Sequence, residues 1–182
     1  LDETGKPYQF YLPMGIAASD TGEVFVVDSM KGEVARFGAD EKLIGTFGGV
    51  SVLGHPVGIA VNDRGKLICV SDIVEHNIAV FDLWGNLLYK FGERGSQPGQ
   101  FNFPTDVEFD EKGNLFVLDT LNFRVQVFDA SMSFIREFGE VGTAAGSFRL
   151  PKGLAVSPHG QVFVTDVLSH KVVVFDHQGE HL

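Results

Sequence analysis

The stretch "DTLNFRVQVFD", Asp119 to Asp129, sets a carboxylate, an amide and a guanidinium close together, directly after the apolar run "NLFVL". Asp119, Asn122 and Arg124 at a strand end have the chemistry to carry catalysis, and equally to hold a turn together through hydrogen bonds to the backbone. A second candidate is the pair Asp106 and Glu108, which strand alternation sets on one face, with Asp110 following on the same face. Oxygen donors grouped this way suit a cation such as calcium. Two blander readings stay open: a wet channel solvates the pair, or Asp106 caps a neighbouring backbone group. The histidines His55, His76, His159, His170, His177 and His181 form no helical H-x-x-x-H pair, and "SHK" and "DHQGEH" read as solvated turns. The chain has no G-x-S-x-G elbow, P-loop or H-E-x-x-H.

The elements that position these residues come from a repeat. Pro13, Pro56, Pro104 and Pro151 are spaced 43, 48 and 47 residues apart, and Gly22, Gly65, Gly113 and Gly160 keep the same intervals. Asp28, Asp72, Asp119 and Asp166 follow those glycines, and Phe37, Phe81, Phe128 and Phe175 each lie nine residues further on. Phe47, Phe91 and Phe138 come ten residues later, each followed by glycine. "DTLNFRVQVFD" therefore has counterparts in "DSMKGEVARFG", "DIVEHNIAVFD" and "DVLSHKVVVFD". The aspartate recurs four times and reads as structural, whereas the asparagine and arginine do not recur.

Each repeat parses into four short alternating strands divided by Gly/Asp turns, with no stretch suited to a helix. Such units bury their faces only against one another, which predicts an all-β propeller of four-stranded antiparallel blades. The repeats run over about 13–55, 56–103, 104–150 and 151–182, in one domain or a segment of one. Phe25, Cys69, Phe116 and Phe163, on the second strands, read as core between blades, with Cys69 a small and inert substitute.

The run "FNFPTDVEFDEKGNLFVLDTLNFRVQVFDASMSFIREFGEVGTAAGSFRLP" resembles the NHL repeat family of β-propellers in its proline start, its D-[ST]-x-N-x-R turn and its "FG" ending. The likeness extends over almost the whole chain, weakest in repeat one. It implies a propeller, commonly of six blades, with a central channel and a binding face on the side of the second-to-third-strand turns. Asn122 and Arg124 match the family's turn residues, for bracing or for partner contact. Among enzymes of this type, the peptidyl-hydroxyglycine amidating lyases hold zinc through histidines placed after the blade-opening proline. Met14, Val57, Thr105 and Lys152 stand there instead, and none replaces an imidazole.

Length and composition set the outer bounds. At 182 residues and 44 % hydrophobic, the chain suits one domain with a real core. The formal charge of −10 opposes phosphate backbones, so nucleic acid is not an expected partner. No apolar run reaches the ~20 residues of a membrane span. One cysteine forms no disulfide within the chain. Acidic, cysteine-poor arrays of this resemblance are often exported, so a periplasmic or extracellular setting is the expected location.

The expected function is that of a non-enzymatic binding or scaffold module with a protein partner and no cofactor. Its alternative is a channel-centred metal-dependent enzyme or small-ligand binder using Asp106 and Glu108. The second position after the recurrent aspartate is apolar in every repeat: Met30, Val74, Leu121 and Leu168. Either each packs on its neighbour, or together they form an apolar arc rimmed by His76, Asn122, Phe123 and His170, among others.

The N-terminal "KPYQFYLP" aligns with "SQPGQFNFP" and "AGSFRLP" as a link between blades. An alternative register sets "DETGKPYQF" against "DLWGNLLYKF" as a closing strand. Four repeats beginning at Leu1 and ending before a fourth outer strand predict a longer propeller, or an open edge covered by another chain.

Overall fold

Each repeat folds as an antiparallel sheet whose strands lie side by side in chain order. The computed structural model describes residues 5–182. Blade one holds β1 (Pro13–Ala18), β2 (Val24–Asp28), β3 (Glu33–Phe37) and β4 (Leu43–Gly48). Blade two holds β5 (Pro56–Asn62), β6 (Leu67–Asp72), β7 (Asn77–Asp82) and β8 (Leu87–Phe91). Blade three holds β9 (Pro104–Phe109), β10 (Leu115–Asp119), β11 (Arg124–Phe128) and β12 (Phe134–Phe138), with a 3-10 turn at Thr120–Asn122. Two short parallel strands, β13 (Glu140–Val141) and β14 (Ser147–Phe148), tie the link to blade four, which holds β15 (Pro151–Val156), β16 (Val162–Asp166) and β17 (Lys171–Phe175).

Hairpins are closed by aspartates that take up local N–H groups. Asp129 Oδ1 accepts from the Ser131 and Ser133 amides at 2.8 and 2.9 Å, and Asp82 and Asp176 do the same two and four residues on. These short side chains satisfy donors that a tight turn would otherwise leave open.

Three apolar layers hold neighbouring blades together. Phe25, Val27 and Val34 of blade one meet Ile59, Val70 and Phe81 of blade two. Cys69, Ile78 and Val80 meet Val107, Val117 and Phe128. Phe116, Val125 and Val127 meet Leu154, Val164 and Phe175. The phenylalanine of each "FG" ending locks the layer from outside. Phe47 packs on Phe81 at 5.1 Å between ring centroids, Phe91 on Phe128 at 5.2 Å and Phe138 on Phe175 at 4.8 Å. The glycine that follows is required: Gly139 has φ +89°, and a Cβ there would run into the Phe148 ring.

Phe25, Cys69 and Phe116 are fully buried, while Phe163 faces the free side of blade four and is half-buried. Residues 5–12 form no strand; residues 2–4 of the alternative closing-strand register lie outside the described residues. In blade four His181 bridges to Phe175 and the Leu182 amide donates to the Val174 carbonyl at 2.9 Å. That is the place an outer strand takes in the other blades. No helix among the described residues is long and apolar enough to cross a membrane.

Candidate functional site

The recurrent aspartate ties the link entering its blade to the turn leaving its second strand. Asp28 accepts from the Tyr11, Leu12 and Lys31 amides at 2.7, 3.1 and 3.2 Å. Asp72 accepts from Gly54 at 2.6 Å and from Val74 and Glu75 at 3.0 and 3.1 Å. Asp166 accepts from Arg149 at 2.5 Å and Ser169 at 2.9 Å. Burial pushes the Asp28 and Asp166 carboxyls up, but the N–H donors outweigh it and hold both below the ordinary aspartate value. All four aspartates are buried, so none is open to a substrate.

In blade three side chains replace the turn amides. Asp119 accepts from the Asn102 amide at 2.6 Å, and from Asn122 Nδ2 and Arg124 Nε at 2.8 Å each. The Arg124 guanidinium then donates to the Ser96, Gln97 and Gln100 carbonyls and to Glu137, at 2.7–3.1 Å. Asn122 reaches the Gly95 carbonyl at 2.8 Å. Asn122 and Arg124 therefore brace the link between blades two and three. Blade one solves the same problem with other chemistry: Tyr8 donates to Glu33 at 2.5 Å, and Lys31 donates to the Tyr8 hydroxyl and the Gln9 carbonyl at 2.9 Å.

The apolar turn residues do not pack away. Met30, Val74, Leu121 and Leu168 are 69, 56, 44 and 48 % exposed. One position further into the turn than their polar neighbours stand Gly32, His76, Phe123 and His170, all left-handed at φ 63, 54, 56 and 52°. His76 Nδ1 accepts from the Phe103 amide at 3.0 Å, so it also holds a link, and Phe123 packs against the layer between blades three and four. His170 is exposed. The equivalence of the two histidines thus rests on a shared backbone conformation.

The first strands of the blades, β1, β5, β9 and β15, lie each against the next. They cross closely: a Cβ on Gly58 would lie 2.7 Å from the Asp106 Cα. Ser71 and Thr165 hydroxyls accept from the Gly58 and Gly153 amides at 2.9 and 3.0 Å. Blade three, with Leu118 in that place, differs. Asp106 Oδ2 accepts from the Leu154 amide of blade four at 2.8 Å, and Oδ1 from the Val107 amide at 3.0 Å. Burial pushes the Asp106 carboxyl up to about 6 against the pull of those amides. Burial, and then the nearby Asp106 charge, push Glu108 up to about 7.

Alternation does not carry Asp110 into this pair. β9 ends at Phe109, and Asp110 closes the hairpin by accepting from the Lys112 and Asn114 amides at 2.9 and 2.8 Å. Among the described residues no group of three or more histidine, cysteine, aspartate or glutamate side chains is placed to hold a metal ion. Where the zinc histidines of the lyases would stand, Met14 and Lys152 are exposed and Thr105 is buried, with its hydroxyl 2.6 Å from that of Thr120. Burial pushes the Cys69 thiol up, away from thiolate chemistry.

Of the sequence readings of Asp106, capping of a neighbouring backbone group is the one the structure shows, with the Leu154 amide of blade four as that group. Sequence reasoning missed the Ser29 hydroxyl against His55 Nδ1, a contact that also crosses between blades. The signal for Asp106 was its replacement of a recurrent glycine; its partner was visible only in three dimensions.

Residues 54–141 match the family described as a 6-bladed beta-propeller (DUF5128), and residues 148–175 match the NHL repeat. The two matches agree with the fold of repeated four-stranded propeller blades. Among solved structures it is similar to hydrazine synthase of Kuenenia stuttgartiensis, with TM-score 0.74 and 19 % identity over 98 % of this chain and 50 % of that one. It is also similar to virginiamycin B lyase of Staphylococcus aureus, with TM-score 0.72 and 12 % identity over 93 % of this chain and 54 % of that one. A protein of unknown function from Bacteroides caccae gives TM-score 0.62 and 16 % identity over 93 % of this chain and 59 % of that one. At these identities the likeness is one of fold. The chain spans about half the length of the first two structures it matches.

Proposed function

We propose that this NHL-type array is a non-enzymatic scaffold whose turn face docks a protein partner. One observation carries the reading: one equivalent position in each of the four blades is both apolar and exposed, at Met30, Val74, Leu121 and Leu168. A side chain serving only its own blade would be largely covered, as the aspartate two residues earlier is. Apolar side chains held out at one place on successive blades make a ready contact surface, with Lys31, Glu75, Asn122 and His170 as its polar rim. The alternative, a metal-dependent enzyme in the channel, has less support, because Asp106 already spends both carboxylate oxygens on backbone amides.

The experiment is capture from native extract on immobilised protein, comparing the natural chain with a Leu121→Glu, Leu168→Glu double variant. Exposed substitutions of this kind change stability by roughly 0.5 kcal/mol or less, so the fold survives. The reading predicts at least a tenfold drop in a specifically retained protein. Equal retention by a folded double variant places the interface elsewhere.

A further inference from the structure

Resting on the turn face as the docking face, we infer that its blade-four end recognises carboxylates, so that the partner lays an acidic segment there. Three cations mark the place. Arg149 lies in the link entering blade four, Lys152 is the second residue of β15, and Lys171 opens β17. All three are fixed around Asp166. The Arg149 amide donates to its carboxylate at 2.5 Å, Pro151 beside Lys152 is its partner on one neighbouring strand, and Lys171 is its partner on the other. The Arg149 guanidinium also donates to the Leu168 carbonyl at 3.1 Å, which holds that charge against the turn carrying Leu168 and His170.

These charges break the repeat. Lys152 stands where Met14, Val57 and Thr105 do, and Lys171 where Glu33, Asn77 and Arg124 do. Of those, Arg124 alone is a cation, and it is buried and paired with Asp119 and Glu137. Lys31 of blade one is likewise paired, with Glu33. Among the described residues no carboxylate lies within ion-pair distance of the Arg149, Lys152 or Lys171 side chains, and Arg149 and Lys152 are exposed. Asp166 does not neutralise them from within, because it is buried and its oxygens accept from the Arg149, Leu150 and Ser169 amides.

Charge complementarity and the neighbouring side chains name the occupant. Val167 and Leu168, beside these cations, are 50 and 48 % exposed, so a ligand here meets positive charge and apolar surface together. An acidic peptide segment carrying apolar residues answers both. Nucleic acid would need the basic track to run on along the face, and Glu75 and Asn122 stand on the turns of blades two and three instead. With the cations gathered at one end and Glu75 toward the other, the partner is also oriented: its carboxylates lie over blade four and its less acidic part over Leu121 and Val74.

The test is fluorescence anisotropy of a labelled peptide alternating glutamate with leucine, titrated with the chain, beside a peptide with glutamine in place of glutamate. The variants are Lys152→Glu with Lys171→Glu and, as a control of equal charge change on the opposite hairpins, Lys66→Glu with Lys112→Glu. Circular dichroism checks that each folds, and Lys152→Glu alone serves if the pair does not. The expected result is binding of the glutamate peptide that weakens about tenfold or more with glutamine, and as much in the Lys152→Glu, Lys171→Glu variant, while the control stays within about twofold. No binding of the glutamate peptide, equal binding of both peptides, or equal losses in the two variants overturns the inference. A single-stranded oligonucleotide that binds more tightly than the glutamate peptide, with the same lysine dependence, makes phosphate the ligand and also overturns it. A peptide with serine in place of leucine that binds as well as the original removes the apolar arc from the contact; that sinks the arc reading, while the lysine dependence still supports carboxylate recognition.

Discussion

Arg124 shows how far one side chain can be committed to architecture. It pairs with the fully buried Asp119 and closes three link carbonyls, so removing it strands a charge and several acceptors at once. Arg124→Leu is expected to cost about 3 kcal/mol in urea unfolding, the range for breaking one partner out of a buried pair. A loss under about 1 kcal/mol would mean the bracing is dispensable. Asp106 and Glu108 give a prediction of opposite character. Both carboxyls titrate higher in the folded chain, at about 6 and about 7, than the ~4 of an unfolded one. The folded state therefore holds more protons across that interval. Their contribution is fully present below about pH 4 and is lost as pH rises through their folded values, so stability falls from about pH 4 to about pH 7. Replacing them together, as Asp106→Asn with Glu108→Gln, should flatten thermal midpoints over this window; an unchanged slope would assign it to other groups. The recurrent aspartate was legible as structural because it recurs, and backbone capping by Asp106 was among the readings, but which group it caps was not legible, because that depends on how two strands cross.

Blade by blade, the pattern of strands, turns and "FG" endings could be read from spacing, since each is fixed by residues a few positions apart. The extra pairing in the links could not. β13 and β14 are two residues each, and Arg94 bridges to Phe101 through a single pair. Such contacts depend on a link being held down by Arg124 or by the recurrent aspartate rather than on strand propensity. The "FG" phenylalanines are the elements' main joint, and Phe138→Ala should cost about 3 kcal/mol, as for emptying an aromatic site in a core. Hydrogen exchange should then rise in β12 and β17 together, because the ring belongs to two blades. Faster exchange in β12 alone would make the phenylalanine a local feature of its own strand. Gly139→Ala is expected to weaken the same joint, since a left-handed glycine beside Phe148 has no room for a methyl group.

At the scale of the molecule, the array has two faces that differ in what they leave exposed. The hairpins between first and second strands carry polar and acidic residues such as Asp20, Asp63 and Glu111, while the opposite turns hold out Met30, Val74, Leu121 and Leu168. Composition pointed away from nucleic acid, and repetition pointed to the turns, yet exposure of the four apolar residues could be judged only once neighbouring blades were in place. The most direct measurement is hydrogen–deuterium exchange on the chain with and without the protein it retains from extract. The account predicts slower exchange in residues 28–32, 72–77, 119–123 and 166–170, with the hairpins at 19–22 and 62–66 unchanged. Protection of those hairpins with the turns unaffected would contradict it.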